Sequence, residues 1–322
     1  RRRSPEGGFS LTPTGSLIAV TGATGFIGTV LCQRLLEQGF QVRALVRNRP
    51  KASRLAAQGV ALIQGVFADA CALQQLVTDC AFVIHGAGAV RGNSQGEFDR
   101  VNVLGTLALL NAIGAQPRPP RILLLSSLVA REPQLSWYAH SKCEGEKLLT
   151  QVRDLEWIIL RPPAVYGPGD QEMLPIFQWM QRGIVLVPGS PDARLSLIHV
   201  SDLVDAIVVC LQSEGAIHQV LALCDGKDGG YSWRELANIA ADHWSREVRL
   251  WRIPGWLLNG VAAVNSNAAR VTGKAPMLTP PKLRELRHED WVVDNGPMTT
   301  VTGWTPRLGL CEGLDQLNLS TL

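Results

Sequence analysis

Residues 21–28 read "TGATGFIG" and place a glycine at every third position, at Gly22, Gly25 and Gly28. The apolar run "SLIAV" comes directly before this stretch, and a helical pattern of apolar residues follows it. A buried strand that passes into a helix through three glycines predicts a phosphate-binding turn. The first glycine permits the tight turn, the second lets the backbone approach a pyrophosphate, and the third lets helix and strand pack closely. Free N–H groups at the helix start would hold the phosphates.

Strand and helix patterns alternate along the chain after this turn. The further strand candidates are "QVRALVR", "VALIQG", "AFVIHGAG", "RILLLSS", "WIILRPP" and, later, "HQVLALC". Their apolar residues run together, as strands covered on both faces require. The helical segments are "GFIGTVLCQRLLEQG" closed by Gly39, "DACALQQLVTDC" opened by Asp69, "FDRVNVLGTLALLNAIG", and "SWYAHSKCEGEKLLTQV" opened by Ser136. The alternation predicts an α/β fold with a doubly wound parallel sheet of the Rossmann kind.

After about residue 166 proline and glycine increase and helical patterns dominate. We therefore expect a smaller, mostly helical C-terminal lobe that holds the substrate. The predicted organisation is a disordered leader at residues 1–15 and a dinucleotide-binding domain at 16–166, to which the chain returns at about 198–225. The substrate lobe is then expected at 167–197 and 226–322.

The composition excludes several classes of function. The chain of 322 residues carries a net charge of +3, and no basic stripe is interleaved with aromatics, so nucleic acid is not an expected partner. No apolar run reaches the length of a membrane span. The seven cysteines are scattered without CxxC spacing, which predicts small buried side chains in a reducing cytoplasm. Neither they nor the six histidines form a metal-ligand cluster, so no metal is expected.

The stretch "YAHSK" places Tyr138 and Lys142 four residues apart on a predicted helix, so that both project from one face. A free tyrosine ionises near pH ~10. A neighbouring ammonium favours the phenolate and is expected to bring the pKa of Tyr138 closer to neutrality. Such a phenol can donate a proton to a developing alkoxide or accept one from an alcohol. An exposed helix pair without chemistry is the competing interpretation.

The spacing GxxGxxG in "TGATGFIG" resembles the extended branch of the short-chain dehydrogenase/reductase family, over nearly the whole chain from residue 16 onward. That branch includes nucleotide-sugar epimerases and dehydratases, 3β-hydroxysteroid dehydrogenases and dihydroflavonol reductases. The resemblance implies a nicotinamide cofactor held at the glycine turn by Gly22, Thr24, Gly25, Phe26, Ile27 and Gly28. Members of the family often dimerise through helices on the sheet's face, so a homodimer is one expectation.

The end of the second strand, in "QVRALVRNRP", bears on which nicotinamide cofactor binds. An acid there would hold the ribose hydroxyls of NAD, but Val46 takes that position and Arg47 follows. A guanidinium at Arg47 can pair with a 2′-phosphate, and Arg54 could add a second positive charge. We therefore favour NADP(H) over NAD(H). An ordinary solvated arginine is the competing interpretation of Arg47, and Val66 stands where the family often has an acid near adenine.

Other segments match the family's pattern more locally. "VIHGAGAV" resembles the fourth strand, where Ala87 and Gly88 would contact the cofactor and His85 would pack beneath the sheet. "RPPAVYGPGD" resembles the segment after the sixth strand, where Pro162 to Val165 would face the nicotinamide. In "LIHVSDLVDAI", His199 and Asp202 are expected to fix the lobe junction and cap a helix.

The resemblance also implies roles for the predicted catalytic residues. Tyr138 would handle the proton, and Lys142 would tune it and hold the nicotinamide ribose. Ser127, at the end of "RILLLSS", would hydrogen-bond the substrate oxygen. Asn102, in "VNVLGT", would support the lysine through water. Helix packing for Asn102 and satisfaction of strand-end backbone for the serines are the alternatives; for Ser126 we favour the structural role.

The substrate is less well defined by the sequence. Nucleotide-sugar members usually carry an arginine four residues before His199, but Leu195 stands there and Arg194 is one residue off. The stretch "LWRIPGWLLNGVAAV" holds Trp251, Trp256, Leu257 and Leu258, which could line an apolar pocket, touch a membrane surface peripherally or form the lobe's own core.

Three functions follow from these observations. The leading one is an NADP(H)-dependent oxidoreductase that acts on a rather apolar alcohol or ketone, of sterol-like or terpenoid-like character. The alternative is a nucleotide-sugar epimerase, dehydratase or reductase. A non-catalytic NADP(H)-binding sensor or assembly subunit is the third, although such relatives tend to lose the tyrosine or the lysine that this chain keeps.

Overall fold

The computed structural model describes residues 15–272, 278–317 and 319, so that most of the predicted leader lies outside the described residues. The strands are β1 (Leu17–Thr21), β2 (Gln41–Val46), β3 (Ala61–Gln64), β4 (Phe82–His85), β5 (Arg121–Leu125), β6 (Trp157–Arg161), β7 (Ala164–Tyr166), β8 (Ile184–Val187), β9 (Arg194–Leu195), β10 (Leu197–His199), β11 (Gln219–Ala222), β12 (Tyr231–Ser232), β13 (Arg249–Arg252) and β14 (Asp290–Trp291).

The α-helices alternate with these strands through the first half of the chain and dominate its last third. They are α1 (Phe26–Glu37), α2 (Ser53–Ala57), α3 (Ala70–Val77), α4 (Gln95–Asn102), α5 (Leu104–Gly114), α6 (Trp137–Thr150), α7 (Leu174–Gln181), α8 (Val200–Gln212), α9 (Trp233–His243), α10 (Gly255–Thr272), α11 (Pro280–Arg287), α12 (Gly296–Thr302) and α13 (Leu310–Asp315).

Seven strands form one sheet in the order β11-β6-β5-β4-β1-β2-β3, and every neighbouring pair is parallel. The predicted doubly wound parallel sheet is thus confirmed, and each of the seven predicted strand segments contains one of its strands. The strand order reverses between β1 and β4, which creates a crevice at the carboxyl edge of the sheet where ligands bind in such folds. The glycine turn after β1 opens onto this crevice.

Both faces of the sheet are covered, which explains why its strands are apolar without alternation. From β1, Ile18 and Val20 join a core with α1 and α8, whereas Ala19 joins a separate core with α3 and α5. Side chains on both faces of β1 are therefore covered by helices.

The predicted capping residues lie at helix ends. One predicted helix, however, is divided in two. Ser136 accepts a hydrogen bond from the Ala139 amide at 3.0 Å and begins α6. The segment 98–114, predicted as one helix, is divided at Val103, where φ is −107° and ψ is −62°. The break separates α4, which carries Asn102 at its end, from α5.

The C-terminal lobe contains more strand than the sequence indicated. Strands β8 and β13 pair in parallel, and β12, β9 and β14 form a three-stranded sheet. Phe177, Trp233 and Tyr231 pack in the core of this lobe, and Tyr166 contributes from the segment after β6. Among residues 15–272, 278–317 and 319, no helical segment combines the length and the apolar composition that a bilayer crossing requires.

The contact between β1 and α1 should make Gly28 intolerant of a side chain. A Cβ at Gly28 would lie 2.1 Å from the carbonyl oxygen of Gly22, which is backbone and cannot move aside. We expect Gly28→Ala to lower the free energy of unfolding by about 1–3 kcal/mol, because α1 must shift off the strand. Urea denaturation of the cofactor-free protein measures this.

Gly114→Ala is the matched control, since a Cβ at that helical position meets nothing within 4 Å. It should be neutral or stabilise by up to about 1 kcal/mol. Equal stability of the two variants would show that the β1–α1 contact is looser than described.

Candidate active site

The glycine turn brings backbone against backbone at the carboxyl edge of β1. Gly22 has a φ of +79°, and a Cβ there would lie 2.6 Å from the Ala87 amide nitrogen in the segment after β4. Only glycine fits such an approach. The predicted reasons for Gly22 and Gly28 therefore match the geometry.

The start of α1 is built to receive an anion. Gly25 is its N-cap and offers no side-chain cap, and the first turn contains no acid. Phe26 and Ile27 pack their side chains on the core, so they can offer a phosphate only their backbone N–H groups. Thr24 and Gly25 are exposed. By contrast Asp69 and Ser136 cap α3 and α6. The uncapped N–H groups at the start of α1 therefore fit the pyrophosphate of a dinucleotide.

The two arginines proposed for a 2′-phosphate lie near the same edge. Thr21 pairs with Leu45, so the turn after β1 lies beside the end of β2, where Val46 is buried and Arg47 is exposed. Arg54 is exposed on the short helix α2. Val66, which follows the third strand, exposes 48% of its surface. All three side chains are therefore open to solvent in the segments that follow β2 and β3.

Gly88, a predicted cofactor contact, lies against two of the predicted catalytic side chains. A Cβ there would lie 3.1 Å from Lys142 Nζ and 3.2 Å from Asn102 Oδ1. The ammonium of Lys142 donates to the Leu125 carbonyl at the end of β5, at 3.0 Å. Ala87, the neighbouring predicted cofactor contact, donates its amide to Thr21 Oγ1 at 3.2 Å.

Asn102 is buried and makes direct contacts that differ from the predicted support of the lysine through water. Its Oδ1 accepts from the Ala89 amide at 2.7 Å, and its Nδ2 donates to the Ala89 carbonyl at 3.0 Å and to Ser141 Oγ at 2.9 Å. It therefore fixes the segment after β4 against α6, the helix that carries Tyr138 and Lys142. Ser141 was not singled out in the sequence.

Tyr138 and Ser127 meet at the end of β5. The Ser127 hydroxyl is a hydrogen-bond partner of the phenol and lowers its pKa, but burial has the larger effect and raises the pKa of Tyr138 well above its usual value. The charges of Glu285 and Glu172 raise it further. The expectation that Lys142 would bring this pKa towards neutrality is therefore wrong for the cofactor-free protein, and the phenol is protonated across the neutral range.

Lys142 is itself affected by burial, since only 8% of its surface is exposed. Desolvation lowers its pKa to about 8, against the opposing charge of Glu146. Glu146 is paired with Arg161, whose Nε lies 2.9 Å from Oε1, and it also accepts a hydrogen bond from Ser126. Ser126 thus has a structural contact, but with the Glu146 carboxylate rather than with the strand-end backbone that was expected.

His85 lies beneath the sheet, as predicted. Its ring nitrogens contact Thr21 Oγ1 at 2.7 Å and Thr106 Oγ1 at 3.0 Å. Burial, and then the charge of Lys142, lower the pKa of His85 to about 3. The ring is therefore neutral and packs between two hydroxyls, away from acid–base chemistry.

The segments after β6 and before α8 join the two parts of the chain. Pro162 is buried and its carbonyl accepts from the Leu128 amide at 2.8 Å, while half-buried Val165 pairs with Ile198. His199 caps α8, as expected, and Asp202 accepts the amides of two residues near the C-terminus, at 2.9 Å each.

The C-terminal lobe supplies a cover for Tyr138 that the sequence did not reveal. Lys282 of α11 holds its Nζ 5.6 Å from the centre of the Tyr138 ring and is paired with Glu285. Glu285 in turn accepts a hydrogen bond from Ser136 Oγ at 2.7 Å. No local motif could indicate these residues, because they lie some 140 positions from the helix they contact.

A cleft opens beside Tyr138 between this cover and the sheet edge. Its lining includes Val90, Phe98, Trp137 and Pro281, together with Lys282. Within the part of the chain that the structure describes, no group of three or more potential ligands could hold a metal ion. The cleft therefore has an apolar wall with a lysine beside it.

Comparison with known proteins identifies the family. A family model described as the NAD dependent epimerase/dehydratase family matches residues 18–222. The chain belongs to this family. It is an NAD(P)-dependent enzyme of the extended short-chain dehydrogenase/reductase type, and the residues around the glycine turn fit its nicotinamide cofactor.

Individual relatives in this family include reductases and epimerases. A ceramide reductase of Caulobacter vibrioides is 34% identical over 94% of this chain and 93% of the relative. A 2-alkyl-3-oxoalkanoate reductase of Shewanella oneidensis is 25% identical over 94% and 85%. The crystal structure of a UDP-glucuronic acid 4-epimerase of Bacillus cereus, in complex with UDP-glucuronic acid and NAD, has a TM-score of 0.70 at 19% identity, over 93% of this chain and 97% of that one.

The depressed pKa of Lys142 predicts a pH-dependent stability in the cofactor-free enzyme. Its pKa is about 8 in the fold and about 10.4 in an unfolded chain. Between these values the unfolded chain binds one more proton, so the free energy of unfolding rises with pH. Relative to Lys142→Met, the native protein should gain about 3 kcal/mol across this window.

Urea denaturation at a series of pH values gives this difference directly. Lys147→Met on the same helix is the control, since Lys147 is exposed and its pKa is raised by Glu144. It should show no gain with pH. A native-minus-Lys142→Met difference that stays level or falls would contradict the described burial of the ammonium.

Proposed function

We propose that this protein is an NADPH-dependent reductase of a ketone that carries a long apolar chain. The observation that carries the proposal is a protonated phenol, Tyr138, beside a small cleft whose lining is mainly apolar but includes Arg91 and Lys282. A protonated phenol can donate to the oxygen of a carbonyl that is being reduced.

The chemistry divides between the cofactor and three side chains. When bound, the reduced nicotinamide supplies a hydride to the carbonyl carbon. Tyr138 gives its proton to the oxygen of that carbonyl, which completes the alcohol. Ser127, already a partner of the phenol, shares the same oxygen and orients it. Asn102 fixes the position of α6, the helix that carries Tyr138, through Ala89 and Ser141.

Lys142 has a supporting role in this scheme. Its Nζ lies close to Gly88 and donates to the Leu125 carbonyl, at the edge where the nicotinamide ribose is expected. We assign it to the ribose hydroxyls. Because burial lowers its pKa to about 8, bound hydroxyls and the phenolate left after proton transfer would both favour its charged form.

An apolar substrate is supported by the cleft and by the names of the relatives. Val90, Phe98, Trp137 and Pro281 line the space next to Tyr138. The relatives include the ceramide reductase, 2-alkyl-3-oxoalkanoate reductases and a ketoreductase of a farnesyl-bearing dihydroquinoline oxide from Stigmatella aurantiaca. An alkyl chain on the apolar wall and a ketone at Tyr138 would agree with both.

A nucleotide-sugar epimerase is the second candidate, since a UDP-glucose 4-epimerase of Vibrio cholerae is 30% identical over 73% of this chain. The arginine nearest to the position expected for diphosphate binding is engaged elsewhere. Arg194 donates to the Gly230 carbonyl at 3.0 Å and pairs with Glu235 at 3.1 Å. Leu195 occupies the position expected for that arginine. These contacts favour the reductase.

The proposed activity is tested by NADPH consumption with a panel of ketones. We expect turnover with a 2-alkyl-3-oxoalkanoate or a ceramide that carries a ketone on its long chain, and none with UDP-glucose or UDP-glucuronic acid. Tyr138→Phe should lower kcat by about 100-fold or more, because the proton donor is lost. It should leave NADPH binding, followed by fluorescence, nearly unchanged.

Three outcomes would contradict the proposal. Epimerised nucleotide sugar without net consumption of NADPH would establish the second candidate. Unchanged turnover in Tyr138→Phe would remove the phenol from the reaction. NADPH bound without consumption by any ketone or alcohol would instead favour a sensor.

The preference for NADPH depends on Arg47. We expect Arg47→Ala to raise the Kd for NADPH about tenfold, because a charge-assisted contact with the 2′-phosphate is lost, and to change the Kd for NADH little. Arg49→Ala is the control, since Arg49 is exposed two residues away. Equal losses for both cofactors would count against the 2′-phosphate contact.

A further inference from the structure

Helix α10 has two apolar faces, of which one is buried and one is exposed. Leu258 and Ala262 face inward and pack against Leu283 of α11. Trp256 and Val264 stay 77% and 66% exposed on another face. The expectation that this stretch forms the lobe's own core is thus right for Leu258 and wrong for Trp256.

The exposed apolar face extends over residues 256–264 of the helix. Leu257 and Val261 are 44% and 42% exposed and, with Trp256, Gly260 and Val264, form a shallow apolar groove. Trp251 on β13, which precedes the helix, is 60% exposed. Large exposed aromatic and aliphatic side chains at this density mark an interaction surface.

The segments that form and adjoin α10 and α11 carry an excess of positive charge. Residues 246–265 and 278–287 hold six arginines or lysines and two glutamates, whereas the rest of the chain has twenty-five against twenty-six acids. Both glutamates are already paired, Glu247 with Arg249 at 3.0 Å and Glu285 with Lys282. Arg252 is exposed beside Trp251 in the sequence.

One of these cations lies at the start of the helix itself. Arg287 donates to the carbonyl of Gly255 at 3.2 Å, one residue before Trp256. It also donates to the Pro188 carbonyl at 3.2 Å, so a guanidinium is held at the start of the helix that carries Trp256. This combination of exposed tryptophan and nearby arginine is typical of helices that lie in a lipid interface.

We propose that the exposed face of α10, together with Trp251, docks the protein on a bilayer that contains anionic lipid. The aromatic and aliphatic side chains enter the headgroup region, and the arginines face the phosphates. A second copy of the chain fits less well, because a symmetric contact through this face would bring like charges together. The proposal goes beyond the proposed reductase activity and does not depend on it.

The position of the docking face would connect the bilayer with the site. Helix α11 packs on the inner face of α10 through Leu283, and the same helix supplies Pro281 and Lys282 to the cleft beside Tyr138. The docked surface and the cleft thus share one pair of helices. An apolar substrate that leaves the membrane would have a short path to the cleft.

Sedimentation with vesicles tests the proposal on the full chain. We expect the protein to bind vesicles of phosphatidylcholine and phosphatidylglycerol in equal parts, and to bind pure phosphatidylcholine at least tenfold more weakly. Trp256→Ser combined with Val264→Ser should lower binding to the mixed vesicles at least tenfold. NADPH binding, measured in parallel, verifies that the variants are folded.

A matched variant tests whether vesicle binding requires this face or only exposed apolar side chains in general. Leu104 and Leu107 on α5 are 58% and 40% exposed, and their joint replacement by serine should leave vesicle binding unchanged. Arg252→Glu should weaken binding to the mixed vesicles, whereas Arg118→Glu, at another exposed arginine, should have little effect. Equal losses in the α5 and α10 variants would overturn the assignment of the face.

Two further results would overturn the proposal. The first is an absence of binding to the mixed vesicles by the native protein. The second is a native dimer that Trp256→Ser converts to a monomer, because the face would then be the contact between two copies. A protein that binds the mixed vesicles but reduces no ketone would support the docking surface and would contradict only the proposed function.

Discussion

The close approach of backbone to backbone at the end of β1 is the constraint on which the site depends. A Cβ at Gly22 would lie 2.6 Å from the Ala87 nitrogen, and one at Gly28 would lie 2.1 Å from the Gly22 oxygen. The turns after β1 and β4 and the first turn of α1 can therefore share one small volume. That volume is the crevice where the strand order reverses, so a dinucleotide held there lies along the edge that carries Ser127 and faces α6.

Burial around α6 then sets the chemistry. The surroundings disfavour charge on both Tyr138 and Lys142, so the pKa of the phenol is raised and that of the ammonium is lowered. A neutral phenol paired with Ser127 is ready to give a proton rather than to take one. Asn102 contributes by position, because its amide joins the segment after β4 to α6. The site is thus organised by helix packing as much as by its reactive groups.

The C-terminal lobe connects this chemistry with the protein's surroundings. Helix α11 brings Lys282 over the ring of Tyr138 and anchors Glu285 on the cap of α6. Its packing on α10 leaves a second apolar face towards solvent, where Trp256 stands among arginines. A lobe that covers the reactive phenol on one side and exposes tryptophan on the other suits a substrate that is delivered from an apolar phase.

The sequence by itself determined the sheet, the glycine turn and the placement of Tyr138 and Lys142 on one helix. These features are local: a buried strand requires a continuous apolar run, a tight turn requires glycine, and residues four apart share a helix face. Only the tertiary structure decided that the helix breaks at Val103, that the pKa of Tyr138 is raised, and that Lys282 reaches it from the other lobe. These depend on burial and on contacts between distant segments, which a local pattern does not encode. The exposure of Trp256 was decided in the same way, because an apolar side chain has the same letter in the sequence whether it fills a core or faces solvent.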